Sequence, residues 1–296
     1  MKTGHFKKIL MSVLTASLLV VALLVPSFAE TDAERELAAA NTEVTTLEQK
    51  VTDATTALSD AQTQSRKGTY GFFQWAGAEN ALKALDSAKY KNLIAYGTSG
   101  DATALDNLEA ALQLIDHVNE YRAGEGLAPM VVTDTMMAMA EADADAFYDM
   151  KTAPKQFTVG GNRIAENLGT FADAKTAADS WYSEKKLADE HPEYLDYSSS
   201  DWYKVGHYYN LSQKKYVVTG AAVNTRLGNK FCQVYFSNAG NEKTYTTAEY
   251  RERIAQYRAT LDGKQQELDE AQKALAAAKV RQETAQRIVD AEKAEA

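Results

Sequence analysis

Few side chains in this sequence could do covalent or metal chemistry. The chain contains four histidines and a single cysteine, Cys232. One cysteine cannot form an internal disulfide, and its place in an apolar segment predicts a small buried residue rather than a nucleophile. The sequence lacks the Gly-x-Ser-x-Gly, His-Glu-x-x-His, Walker and Cys-x-x-Cys motifs. Nothing in it predicts a nucleotide cofactor.

The four histidines fall in different settings along the chain. His5 lies in an N-terminal apolar segment, and His117 lies on the polar side of a predicted helix. His191 precedes Pro192 in a predicted surface loop, where it is only a remote candidate for a metal ligand. His207 lies in the segment Val205-Gly206-His207-Tyr208, at the start of a strand-like stretch.

The elements that would position these residues change in type along the middle of the chain. The hydrophobic spacing predicts helices over Asp106–Arg122, from Asp134 (a candidate cap) onward, and over Ala174–Leu187. Strand-like segments follow Pro192: Val205–Leu211, Tyr216–Asn224 and Phe231–Phe236. Helices that precede strands predict an α+β domain, which we place at residues 101–240.

Four short motifs occur in order within this domain. They are Asn119-Glu120-Tyr121-Arg122 with Gly126-Leu127-Ala128-Pro129, then Ala165-Glu166-Asn167-Leu168-Gly169, then Trp181-Tyr182-Ser183-Glu184, and finally Val205-Gly206-His207-Tyr208. In this order and spacing they resemble the CAP superfamily, which is named for cysteine-rich secretory, antigen five and pathogenesis-related proteins. The resemblance covers about 140 residues. It implies an α-β-α sandwich in which Glu-Asn-Leu forms a turn and Gly-His-Tyr opens a strand.

The resemblance also implies a cleft with two histidines and two glutamates, which binds a divalent metal in some members. Carried over motif by motif, Glu166, Glu184 and His207 occupy three of these positions. The first family histidine would lie within residues 149–157, which contain no histidine. Two carboxylates and one imidazole can still hold zinc together with water, although with lower affinity. Two alternatives stay open: an acid–base role for Glu166 or Glu184, and a structural contact between Glu166 and His207.

Two heptad repeats flank the domain. Residues 30–66 contain apolar positions that recur every seven residues, namely Leu37, Val44, Val51 and Leu58, with mostly alanine three positions later. Residues 246–296 repeat the pattern with Ile254, Leu261, Leu268 and Leu275, after a capping box formed by Thr246 and Glu249. The sequence predicts coiled-coil helices that pair antiparallel within the chain, or that form a homo-oligomer with other copies.

Residues 67–100 form an aromatic connector between the first repeat and the domain. It begins with the cluster Gly68–Trp75, and residues 79–95 predict a short helix. Packing the cluster against the end of the helix pair is the default interpretation, since aromatic side chains bury large areas. A surface that stacks on carbohydrate is the alternative.

Residues 1–29 predict a secretory signal. Lys2, Lys7 and Lys8 precede an apolar run, and Pro26 is followed by small residues up to Ala29. An uncleaved membrane anchor is the alternative. Cleavage would take the formal charge from −9 to −12, because three lysines leave with the signal. So acidic a chain argues against nucleic acid as a partner.

The sequence favours a secreted or cell-surface binding module whose ligand is an extracellular molecule or a cell-wall component, rather than an enzyme. A metal-assisted hydrolase acting on cell-wall material is one alternative. The other is a structural protein in which the coiled coil is the functional element.

Overall fold

The computed structural model describes residues 30–148, 158–159, 162–226 and 228–295. The predicted signal, residues 1–29, and the segment 149–157 expected to contain the first family histidine lie outside the described residues.

Long N- and C-terminal helices precede and follow an α+β domain along the chain, as the sequence predicts. The α-helices in chain order are α1 (Asp32–Ser65), α2 (Thr69–Ala76), α3 (Glu79–Leu85), α4 (Leu108–Gly124), α5 (Asp134–Tyr148), α6 (Ala174–Ser183), α7 (Lys185–Glu190), α8 (Gly206–Ser212) and α9 (Thr247–Glu295). The strands are β1 (Val131–Val132), β2 (Thr158–Val159), β3 (Asn162–Arg163), β4 (Ala165–Thr170), β5 (Val218–Asn224) and β6 (Lys230–Phe236).

The central sheet has the strand order β1-β5-β6-β4. β1 pairs with β5 in parallel, whereas β5–β6 and β6–β4 are antiparallel. A separate antiparallel pair is formed by β2 and β3. All residues of β5 are buried, because helices cover both of its faces.

Helices form a layer on each side of the sheet. On one side, α5 packs on β5 and β6, and α3 packs on α5. On the other side, α4, α6 and α8 contact one another and the sheet. Alternation along β4 separates the two sides: Glu166 faces Asp143 of α5, and Asn167 faces Asn210 of α8. This arrangement is the predicted α-β-α sandwich.

Several predicted elements have different bounds in the structure. The helix expected over Ala174–Leu187 divides at Glu184 into α6 and α7. The short helix expected over residues 79–95 ends at Leu85. The cap of α5 is Thr133 and not Asp134: the Thr133 hydroxyl accepts the Met136 amide at 3.2 Å.

Two predictions of local structure are wrong. The Glu-Asn-Leu segment is strand β4 and not a turn, because it pairs with β6 over its whole length. The expected strand Val205–Leu211 is a helix from Gly206 onward, because a side chain of the candidate site binds its first backbone amides.

The outer halves of the two long helices form one compact unit, residues 30–46 with 276–295. The helices run antiparallel there: Thr31 bonds Glu292 at 3.1 Å, and Glu43 pairs with Arg281 at 2.5 Å. Ala278 is fully buried in this unit, which lets the two backbones approach closely. The N-terminal helix therefore pairs with the C-terminal helix of the same chain.

The second compact unit, residues 47–275, contains the domain, the connector and the inner halves of the helices. The connector packs as expected: Phe72 is fully buried, and its ring lies 5.7 Å from the rings of both Tyr250 and Tyr257 of α9. The capping box of α9 is also present, since Glu249 accepts the Thr246 amide at 2.8 Å. Among the described residues, no helix has the length and apolar character that a membrane span requires.

Candidate functional site

Glu184 and His207 form the centre of the candidate site. Glu184 lies at the junction between α6 and α7, and its Oε1 is 2.5 Å from His207 Nδ1. The His207 ring stacks on Trp181 at a centroid distance of 6.0 Å. Both polar side chains keep part of their surface exposed, so a ligand can reach the imidazole.

The same carboxylate explains why the Gly-His-Tyr segment begins a helix. Glu184 Oε2 accepts the backbone N–H groups of His207 at 2.9 Å and of Tyr208 at 3.1 Å. The first amides of a helix lack partners within the helix, and a carboxylate from another element supplies one here. This contact overrides the preference of the aromatic residues for a strand. The spacing of residues in the sequence does not reveal the contact.

Asn167 connects the site to the sheet. Its Nδ2 donates to the His207 carbonyl at 3.1 Å and to the Tyr235 hydroxyl at 3.0 Å. Its Oδ1 accepts from Asn210 Nδ2 at 2.9 Å, and Asn210 also donates to the Glu166 carbonyl at 3.1 Å. The asparagine of the Glu-Asn-Leu motif therefore fixes α8, and with it His207, on β4.

Arg122 fixes the other end of α8. The guanidinium is buried and donates to the carbonyls of Ala128 at 3.0 Å, Leu211 at 2.7 Å, Gln213 at 3.1 Å and Tyr216 at 3.0 Å. Carbonyls at a helix C-terminus and in turns need donors, and a planar guanidinium supplies several at once. Burial lowers the Arg122 pKa below its ordinary value.

Glu166 faces away from Glu184 and His207. Its carboxyl interacts with that of Asp143 on α5, and its Oε2 is buried. Burial raises the Glu166 pKa, while Asp143 and Lys89 lower it in part. The Asp143 pKa is raised well above its ordinary value by burial and by Glu166. Burial therefore favours the neutral form of both carboxyls.

The structure thus brings together two of the three predicted metal ligands. Among the residues it describes, no group of three or more His, Cys, Asp or Glu side chains is arranged to hold a metal ion. Divalent metal binding at Glu184 and His207, with zinc the expected ion, stays a prediction. The alternative contact between Glu166 and His207 is not formed by their side chains.

The domain can now be compared with known proteins. Residues 115–250 match the profile of CAP, the cysteine-rich secretory protein family. The central domain is a CAP domain. The match begins within α4 and ends at the start of α9, so it contains all four motifs found in the sequence.

One solved structure that the chain resembles is a cysteine-rich secretory protein from Staphylococcus aureus subsp. aureus Mu50, with 20% sequence identity and a TM-score of 0.30. The similarity covers 45% of this chain and 39% of that protein. No curated protein matches the chain.

The CAP domain also presents an aromatic surface, which we define as Tyr194, Tyr197, Trp202, Tyr203 and Tyr209. Tyr197 packs edge-on against Trp202 at 4.7 Å, and Trp202 packs against Tyr209 at 5.8 Å. Tyr197 is 68% exposed and Tyr203 is 69% exposed. Large exposed rings of this kind mark interaction sites.

The other residues considered in the sequence, Cys232, His117 and His191, lie outside the Glu184–His207 pair. Cys232 is fully buried in β6, as predicted. His117 pairs with Glu120 at 3.2 Å, and His191 pairs with Glu193 at 3.0 Å, both near the surface. Neither histidine lies at the Glu184–His207 pair.

Sequence reasoning missed three features of the CAP domain: Asp143, Asn210 and the aromatic surface. Asp143 belongs to an alternating run of acidic and alanine residues, Glu141–Asp145, and its acidic positions are buried. Acidic residues within so apolar a helix are a signal that could have identified it. The aromatic residues between Pro192 and Val205 are visible in the sequence as well, but only Tyr209 fell within a predicted element, the strand Val205–Leu211.

Proposed function

We propose that this protein is an extracellular binding module whose CAP domain recognises a neutral glycan of the cell wall through the aromatic surface. The observation that carries the proposal is the exposure of Tyr197, whose ring packs on Trp202, and of Tyr203, the residue that follows Trp202. Buried rings only fill a core, whereas exposed rings with hydroxyl tips offer both a stacking face and a hydrogen-bonding edge.

The charge of the surrounding segment supports a neutral ligand. Residues 185–216 contain five lysines and five acidic residues, so the segment has no net charge. Individual lysines lie beside the rings, with Lys204 Nζ 5.1 Å from the Tyr194 ring centroid and Lys215 Nζ 5.9 Å from that of Tyr209. The whole chain is acidic, which disfavours anionic polymers.

The position of the surface supports the same role. The 3-10 helix that contains Trp202 and Tyr203 leads directly into α8, which begins beside Glu184 and His207. The Trp202 ring lies against Gly206, the residue that precedes His207. The CAP family is generally extracellular, and the N-terminal segment predicts secretion, so a cell-wall ligand would be within reach.

Co-sedimentation of residues 30–296 with purified bacterial cell walls tests this function. We expect the wild-type chain to bind and soluble N-acetylglucosamine oligomers to displace it. Replacing both exposed rings (Tyr197→Ala with Tyr203→Ala) should weaken binding at least about tenfold, since each stacked ring contributes about 1 kcal/mol beyond its buried area.

The matched control keeps the rings and removes only the hydroxyls (Tyr197→Phe with Tyr203→Phe), and it should retain most of the binding. A second control, Val280→Ala, removes an exposed apolar side chain from α9. Failure of the wild-type chain to sediment would contradict the proposal. Binding that survives the sugar competitor but disappears after protease treatment of the walls would indicate a protein partner instead.

A further inference from the structure

The indole of Trp202 is held in the aromatic surface by packing rather than by a hydrogen bond. Its Nε1 is buried and has no hydrogen-bond partner among the residues that the structure describes. The ring centroid lies 4.7 Å from that of Tyr197 and 5.8 Å from that of Tyr209. Because no directional bond fixes this ring, its position is set by the atoms on which it packs.

Two residues of α8, Gly206 and Tyr209, form the seat of Trp202. A Cβ built on Gly206 would lie 3.4 to 3.6 Å from three carbons of the six-membered ring of Trp202, which is van der Waals contact. Tyr209 packs edge-on against the same indole. Both residues belong to the first turn of α8, so a shift of that turn moves the seat.

The first turn of α8 depends on contacts from outside the helix. α8 has only seven residues, and helices this short are not stable in water by themselves. Glu184 Oε2 accepts the backbone amides of His207 and Tyr208, at 2.9 and 3.1 Å. Asn167 and Arg122 bind carbonyls of α8 instead. Glu184 therefore holds the amide end of the helix, which is the end that carries the seat.

We propose that Glu184 is the positioning residue of the aromatic surface: its carboxylate fixes the first turn of α8, and that turn fixes Trp202 for contact with the glycan. The inference rests on the function proposed above and extends it to a residue outside the binding surface. The Glu184 side chain is only 21% exposed and is directed at the α8 amides. Its effect on binding is therefore transmitted through the backbone of α8 and not by contact with a sugar.

The tryptophan indole resonances test the structural step without any ligand. Isotope-labelled residues 30–296 contain three tryptophans, Trp75, Trp181 and Trp202, and the Trp202→Phe variant identifies the Trp202 signal by its loss. Glu184→Ala should move this signal and speed its exchange with deuterium at least about fivefold, the effect of losing a typical helix cap on local opening. Trp75, on α2, is the internal reference and should not change.

Co-sedimentation with cell walls, with N-acetylglucosamine oligomers as competitor, measures the functional step. Glu184→Ala should weaken binding at least about fivefold, which again corresponds to the loss of one helix cap. Gly206→Leu places a side chain where the Trp202 ring lies and leaves Glu184 in place. It should weaken binding to a similar extent, because the two variants disturb the same seat from different sides.

Two further substitutions control for a general loss of stability. Glu184→Gln keeps an oxygen that accepts the amides of α8, so binding should stay within about twofold of the wild type. Glu249→Ala removes the carboxylate that accepts the Thr246 amide at the start of α9. This is a loss of the same kind outside the aromatic surface, and it should change neither the Trp202 signal nor binding.

The inference is overturned if the wild-type chain binds and Glu184→Ala binds equally well or leaves the Trp202 signal unaffected. A Glu184→Gln variant that binds as weakly as Glu184→Ala would also overturn it, because the acceptor oxygen would then be unimportant. If Glu184→Ala does not fold, judged by circular dichroism, a folded Gly206→Leu variant that binds normally decides against the seat. A wild-type chain that does not bind overturns the proposed function and this inference together, so the two failures are distinguished by the wild-type measurement.

Discussion

The polar side chains of the family motifs connect elements rather than perform a reaction. Asn119 binds both the amide and the carbonyl of Met130, at 2.8 and 3.0 Å. Arg122 and Asn167 hold the two ends of α8. Packing buries backbone groups that would otherwise form hydrogen bonds with water. Each of these three side chains bonds such groups instead, which is why an amide or a guanidinium occupies these positions.

The most unusual residues are the buried acids of α5. Asp145 Oδ1 accepts the Ala102 amide at 3.0 Å and Asn224 Nδ2 at 2.7 Å, and Asp101 lies close by in an ion pair with Arg226 at 3.1 Å. Burial raises the Asp145 pKa to about 8, with a further contribution from the Asp101 charge. Burial therefore favours the protonated form of this carboxyl in the folded protein, and the Arg226 guanidinium, 3.7 Å from Oδ1, acts against it.

A raised carboxyl pKa makes the fold more stable in acid. Below the ordinary aspartate pKa both states are protonated, and the contribution of Asp145 is fully present. As the pH rises toward 8, only the unfolded chain releases the proton, so stability falls by up to about 1.4 kcal/mol per pH unit. We expect the urea midpoint to be lower at pH 8 than at pH 5.

The Asp145→Asn variant isolates this group. An asparagine can still accept from Ala102 and Asn224, but it has no proton to lose, so the fall between pH 5 and pH 8 should become shallower. Asp262→Asn, at an exposed position on α9, should leave the dependence unchanged. A wild-type stability that increases from pH 5 to pH 8 would contradict the assignment.

At the scale of elements, close contact between α5 and β5 sets the spacing of the sandwich. A Cβ built on Gly220 would lie 2.1 Å from both the carbonyl carbon and oxygen of Met136. These are backbone atoms, which cannot rotate away. The absence of a side chain at this position of β5 is what permits α5 to lie against the sheet.

Gly220→Ala should therefore lower the free energy of unfolding by about 3 kcal/mol or more, at the upper end of overpacking effects. Chemical denaturation measures it. Gly124→Ala is the matched control, since a Cβ there would meet nothing within 4 Å and the residue ends a helix. The control should be neutral or slightly stabilising. Equal effects of the two substitutions would show that the contact is unimportant.

At the scale of the whole molecule, the apolar heptad positions of α1 and α9 are buried within one chain. Ala40 and Val44 of α1 are buried in the outer unit, as are Ala278, Ala285 and Val289 of α9. Apolar seams that are already buried give a second copy little to bind. The outward side of α9 keeps only Val280 and Ile288 as large exposed apolar residues.

We expect residues 30–296 to have the mass of one chain at both low and high concentration, measured by light scattering after size exclusion. Ala278→Glu introduces a charge into the seam and should lower the thermal stability of the helix pair. Val280→Glu, on the exposed side, should not. A mass that doubles with concentration would support the intermolecular pairing that the heptads also allow.

Periodicity along the sequence determined the long helices, the capping box at Thr246 and the α+β class of the domain, because these depend on neighbours within one or two turns. It did not determine the order of the elements, since β1 and β4 precede α6. The four motifs determined the family for the same reason: they are short, local and ordered. Burial of Cys232 also followed from its immediate apolar neighbours.

Only the tertiary structure decided which of the predicted residues come together in the candidate site. The Val205–Leu211 segment is helical because a carboxylate more than 20 residues earlier, Glu184, accepts its first amides. Glu166 contacts Asp143 instead of His207 because alternation along β4 turns it toward α5. Contacts between residues distant in sequence depend on packing, and a spacing pattern contains no information about which face of a strand meets which helix.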